Sequence, residues 1–477
     1  MPSGDDPNCP QPRCLPQRPT FTECRQAQFG GRKDLSHRRR ERATLGELAV
    51  DPITVTGNER LHGRCRCATR YDDLDPAFGI DPNRQTSRSR TATHSPRRTA
   101  GVPCHDRAIC RIRFVEQIAT RCHDGIITAD DAVAFAPMAR YFKSDNTAPV
   151  APEILAAIAA ANTGYAAGYG DDEWSRRLDA RYGALFEHEV RVFPVVSGTA
   201  ANALALATLV PPYGAVLTHT EAHIVRDECG APEFMSGGAR LMLIDGPGAK
   251  LTPASIERTL AANPTAVHTV QPRAVSITQA TELGTVYTPA EVRAIADCAH
   301  ANGLALHMDG ARFANAVAAL NCEPSEITAA AGVDVLSFGA SKNGAMAAEA
   351  VVFFDRARIA DFELRRKRAA HLVSKMRYLS AQLLAYVEDD LWLRLARRAN
   401  ALAARIATAA GSTLVLPTQA NEIFLKLDAA RIAALRAQDF AFYDWGAVDS
   451  GEIRLVVSWS QSEEDVEALC RALASLR

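Results

Sequence analysis

From Met138 to the C-terminus, short apolar runs alternate with alanine-rich stretches of helical period, an order that few architectures accommodate. RVFPVVSG, GAVLTH, ARLMLID, AVHTVQP, LALHMDG, VDVLSFG and AVVFFD read as strands. ANALALATLV, TPASIERTLAA and TPAEVRAIADCAHANG read as the helices between them. Strands spaced by helices build a mainly parallel sheet with helices on its faces. APVAPEILAAIAAANTG adds a leading helix with Pro152 in its first turn. Two long helical stretches follow Asp361, and the tail from ANEIFLKLD to the closing helix mixes both element types. The expectation is an α/β fold with a large domain over 138–385 and a smaller α+β domain over 386–477.

Residues 1–137 differ in kind. They are rich in Arg, Pro, Ser and Cys, with runs such as HRRRERA and RTATHSPRR, and apolar periodicity is almost absent. Such a segment buries too little surface to offset its ordering entropy, so it reads as disordered, or as an over-extended start with Met138 as the working one. Eight of the 12 cysteines lie there, yet no CxxC pair occurs and the spacings fit no zinc finger or ribbon. No metal is expected. The formal net charge of −1 gives no reason to expect nucleic acid, and no apolar run is long enough for a membrane helix. The polar N-terminus does not read as a signal peptide, which makes the cytoplasm the expected compartment.

Three features fall at the C-terminal ends of expected strands, where open α/β sheets place ligands. In VVSGTAANALALA, Gly198 and Thr199 open a helix whose free N–H groups suit a phosphate, although Ser-Gly-Thr is also an ordinary N-cap. In LALHMDGARFANA, Asp309 ends a buried strand and needs a cation. Arg312 is one candidate; a protonated pyridine nitrogen is the other. In SFGASKNGAMA, Lys342 follows an apolar strand, and an amine held there away from water is a nucleophile. A phosphate anchor, a carboxylate for a ring nitrogen and a lysine for a Schiff base are what pyridoxal phosphate requires.

These residues, with FKSDNTAPV, YGDDEW, TEAHIVRDECG, TQATELGTVY and IRLVVSW in the same order, resemble the low-specificity L-threonine aldolases. Those are fold-type I pyridoxal phosphate enzymes of the beta-eliminating lyase and threonine aldolase family. The resemblance runs from about Met138 to the C-terminus and implies cleavage of L-threonine or L-allo-threonine to glycine and an aldehyde. It implies that Lys342 carries the cofactor, Asp309 holds the pyridinium proton, Gly198 and Thr199 bind the phosphate, and Arg377 adds charge there. His223 would stack on the ring. Arg312 would meet the phenolic oxygen or the substrate carboxylate, and Ser144 and Arg454 would clamp that carboxylate. Many members carry a histidine where Glu282 stands, so Glu282, His223 and a water are all candidates to take the β-hydroxyl proton. A homodimer or homotetramer is implied as well. The competing readings are a phenylserine aldolase or β-eliminating lyase on the same cofactor, and, in another class, a non-catalytic binding protein.

Overall fold

The computed structural model describes residues 140–359 and 361–475. The expectations for residues 1–137 lie outside these. The main sheet has seven strands: β1 (Arg191–Val195), β2 (Gly214–His219), β3 (Arg240–Ile244), β4 (Gln271–Thr278), β5 (Ala305–Gly310), β6 (Val335–Phe338) and β7 (Glu349–Phe353). Their spatial order is β1-β7-β6-β5-β4-β2-β3. β6, β5, β4, β2 and β3 pair in parallel, whereas β7 is antiparallel to both β6 and β1. Six strands therefore end on one edge of the sheet.

The central strands are buried on both faces, with every residue of β2, β5, β6 and β7 buried, as expected of apolar runs covered by helices. The covering helices include α1 (Pro152–Ala161), α2 (Glu173–Leu185), α3 (Gly198–Leu209), α4 (Pro289–Ala301) and α5 (Phe313–Leu320). Local chemistry sets their starts. Pro152 occupies the first turn of α1, and Ser197 caps α3 through the Ala200 N–H. Thr288 and Glu291 form a reciprocal capping box on α4.

One expected strand sits elsewhere. AVHTVQP straddles a turn whose Val267 is exposed, and the strand starts at Gln271 and is buried over AVSI, residues 274–277.

Helix α6 (Arg377–Val387) lies against α1 and α2 and spans residue 385. The long α7 (Leu391–Ala410) packs on α5 with one end and on α8 (Glu463–Ser475) with the other. A second sheet, β8 (Glu422–Lys426), β9 (Tyr443–Trp445) and β10 (Glu452–Val456), is antiparallel with β10 central. It has its own apolar core around Ile423, Leu425, Ile453 and Leu455. Among the described residues no helix is long and apolar enough to cross a membrane.

Candidate active site

Strands β5 and β6 end side by side on Gly310 and just before Gly339, and both positions exclude a side chain. A Cβ on Gly339 would lie 2.6 Å from the Ala311 carbonyl oxygen, and one on Gly310 2.7 Å from that of Ser337. This close approach holds Asp309 at the sheet edge, only 3% exposed. Its Oδ1 accepts the Ala311 N–H at 2.9 Å, and its Oδ2 accepts from Asn202 Nδ2 at 2.7 Å. Arg312 does not neutralise it. That guanidinium turns to Asp145 instead, with Nε 2.8 Å from Oδ2 and Nη2 2.9 Å from Oδ1. Among the described residues Asp309 has no ion-pair partner, which leaves its charge available to a ligand.

Asp309 shares a cavity of some 150 Å³ with Gly198, Thr199, His223 and Lys342. Gly198 and Thr199 are the first residues of α3, where amides lack intrahelical acceptors, and the Cβ position of Gly198 meets only open space. Lys342 sits in a 3₁₀ turn, Ser341–Asn343, beyond β6. It is partly exposed to the cavity, not buried at the strand end as the apolar run suggests. Asn343 anchors the turn by donating to the Tyr386 hydroxyl and the Trp392 carbonyl, both at 2.8 Å. Glu349 accepts the Ala340 N–H at 2.7 Å and fixes its other side.

His223 opens a one-turn helix, His223–Arg226, and its Nδ1 lies 2.8 Å from Glu228 Oε1. Glu228 is buried and also accepts from Asn202 at 2.8 Å, so Asp309, Asn202, Glu228 and His223 form one hydrogen-bonded chain. The bond to Glu228 raises the His223 pKa, while burial raises that of Glu228. Glu228 was not singled out in the sequence, because within HIVRDECG it reads as one more loop charge. The signal was its spacing, which a single helical turn converts into contact with His223.

Glu282 lies in the loop after β4. Its Oε1 accepts from Thr278 Oγ1 at 2.8 Å and from the His223 N–H at 2.7 Å. Its Oε2 is buried with no hydrogen-bond partner among the described residues. Burial, followed by the charge of Asp309, pushes its pKa up to about 7. Glu282 borders a larger cavity of some 780 Å³, which meets the first at Asn146, His223 and Lys342.

Ser144, Arg312, Arg454 and Glu422 line the far wall of that larger cavity. Arg454 lies over the Trp445 ring at 4.5 Å and near Tyr443 at 5.6 Å. Its pKa is lowered, chiefly by burial. Burial also works against the Arg312 charge, but Asp145 and Glu422 hold that guanidinium protonated beyond its ordinary range. Glu422, on β8, escaped the sequence reading because EIFLK alternates like a plain strand.

Arg377, expected at the phosphate, is not in either cavity. It starts α6, and its Nη1 donates to the Thr163 and Gly164 carbonyls at 3.3 and 3.2 Å. The other sequence-selected residues meet in the two joined cavities.

Residues 141–431 match the beta-eliminating lyase family. A low specificity L-threonine aldolase of Pseudomonas aeruginosa is 46% identical over 334 residues, covering 69% of this chain and 96% of that relative. Its counterpart from another Pseudomonas strain is 45% identical and is covered to 95%. Among solved structures, a threonine aldolase from Leishmania major aligns at a TM-score of 0.67 with 30% identity, covering 70% of this chain and 99% of that one.

Proposed function

As a member of the beta-eliminating lyase family akin to the low-specificity L-threonine aldolases, this chain is a pyridoxal phosphate-dependent carbon–carbon lyase, and we propose how its residues divide the work. The substrates are L-threonine and L-allo-threonine, cleaved to glycine and acetaldehyde. The observation that carries this reading is the Asp309 carboxylate, buried with no cation of its own and facing the same cavity as Lys342 and the start of α3. That set fits the cofactor: Lys342 would hold its carbonyl carbon, Gly198 and Thr199 its phosphate, and Asp309 its protonated ring nitrogen. When bound, the cofactor supplies an electron sink for the bond being broken.

The residues of the chain then orient the substrate and move its protons. Arg454 and Ser144 bind the carboxylate, with Arg312 fixing the wall between them. Held at that end, the substrate would have a fixed orientation, and that orientation would select the bond that breaks. Glu282 takes the β-hydroxyl proton on Oε2, whose lack of a partner leaves a lone pair free for it. His223 would cover the cofactor, oriented by Glu228, whose hydrogen bond raises its pKa. Arg377 lines neither cavity and takes no part in this division of work. A homodimer or homotetramer accords with the exposure of Tyr165 and Phe234, and the cytoplasm is the proposed compartment.

The test is the absorption spectrum of the purified protein before and after glycine, combined with an acetaldehyde assay on threonine. A cofactor band that shifts with glycine, and aldehyde release from threonine, are expected. A colourless protein after reconstitution, or no aldehyde from either threonine isomer, refutes the reading.

A further inference from the structure

Glu422 is the odd member of the carboxylate-binding wall. Its side chain is fully buried, yet neither carboxylate oxygen accepts a hydrogen bond among the described residues. Its nearest cations are Arg312 Nη1 at 3.3 Å from Oε2 and Arg454 Nη1 at 3.9 Å from Oε1. A buried carboxylate left so poorly bonded is costly, and structures keep one where it has a further partner or task.

The surroundings of Glu422 set its charge balance. Arg312 comes from the turn after β5, Arg454 from β10, Asp145 from the 3₁₀ turn Asp145–Thr147, and Lys342 from the turn after β6. The loop after β4 presses on it through Gly284, whose Cβ position lies 3.2 Å from the Glu422 Cβ, and carries Glu282 into the same cavity. Tyr443 faces Arg454 from β9. Two carboxylates, Asp145 and Glu422, thus face two guanidiniums in the wall itself. Asp145 is fully committed, receiving two bonds from Arg312 and one from Asn421 at 3.0 Å. Burial opposes the Asp145 charge, but Arg312 and Lys342 hold its pKa below the usual value.

A substrate carboxylate arriving at Arg454 adds a third anion to two cations. Even with the Lys342 amine nearby, that extra anion favours a proton on one carboxylate, and Glu422, unbonded and with its pKa already raised by burial, is the least stabilised as an anion. Resting on the function proposed above, we propose that Glu422 stands in for the substrate carboxylate at Arg454 in the empty site and takes up a solvent proton when that carboxylate binds. The proton leaves again when the carboxylate does, so the exchange balances over a cycle. Glu422 is a positioning residue: it keeps Arg454 in place without touching the reacting atoms.

Calorimetric titration of the holoenzyme with glycine, between about pH 6 and 9 in buffers of different ionisation enthalpy, counts the protons taken up. The wild type takes up about one more proton per glycine than Glu422→Gln does. Methylamine offers the amine without the carboxylate and needs no variant to fold. With it, the wild type takes up about one proton fewer than with glycine. Equal counts for glycine and methylamine, or for wild type and Glu422→Gln, overturn the proposal. Glycine that shifts the cofactor band while the counts stay equal overturns this inference alone. No shift of the band overturns the function it rests on as well.

Discussion

Replacing Glu282 with glutamine tests the proton acceptor through both rate and stability. In the folded chain the carboxyl titrates at about 7 instead of its ordinary 4.5, so the native state holds a proton that the unfolded chain has released over that interval. Stability therefore falls as pH rises from 4.5 through 7, because the folded state binds more protons. Ionising the group in place costs at most about 3.5 kcal/mol, since each pKa unit is about 1.4 kcal/mol. Glutamine removes that cost while keeping the oxygen that receives the Thr278 and His223 donors. Thermal melts at about pH 5 and pH 8.5 are expected to agree at the acid end and to favour Glu282→Gln by about 1–3 kcal/mol at the alkaline end. Turnover moves the opposite way. The base works only when ionised, so wild-type kcat should fall about tenfold per pH unit below about 7, and the variant should lose roughly 10²–10⁴-fold and that acid limb. A variant as active as the wild type, or one still showing the limb, refutes the assignment. A variant no more stable at alkaline pH refutes the burial argument behind it.

Lys342→Ala is expected to abolish the cofactor's band near the visible edge, and a persistent band in the spectrum would falsify the attachment. Asp309→Ala should keep some cofactor by absorbance yet lose turnover by on the order of 10²-fold or more, with near-normal aldehyde release counting against it. Asn202→Ala strips donors from two buried carboxylates, and denaturant titration should show a loss of about 1–3 kcal/mol. Gly339→Ala forces a methyl group against the Ala311 backbone and should cost about 1–3 kcal/mol or more, so an unchanged midpoint would contradict the close approach.

The fold class was legible because burial on both faces writes strands as apolar runs, and the chain is βα from β1 to β6. AVHTVQP misled because an exposed valine looks the same in sequence as a buried one. The site was legible where a residue lies at or shortly beyond the end of a strand, as Asp309, Gly198 and Lys342 do. Lys342 still proved more open than its neighbours suggested, since the strand stops at Phe338 and a turn carries the amine outward. The rest depends on tertiary encounter. Glu228 and Glu422 matter through partners far along the chain, Asp309 by way of Asn202 in one case and Arg312 and Arg454 in the other. No local period marks Glu422, and for Glu228 only the five-residue spacing from His223 does. Arg377 illustrates the converse, a motif match whose helix places it elsewhere.

The amide of Asn202 gives one N–H to Asp309 and the other to Glu228, which ties the carboxylate in the cavity to the partner of His223. Loaded protein should then be a colour reporter of distant edits. A change at Glu228 alters how strongly Asp309 attracts the ring's proton, and a spectrophotometer would register it as a new hue before any assay of chemistry was run.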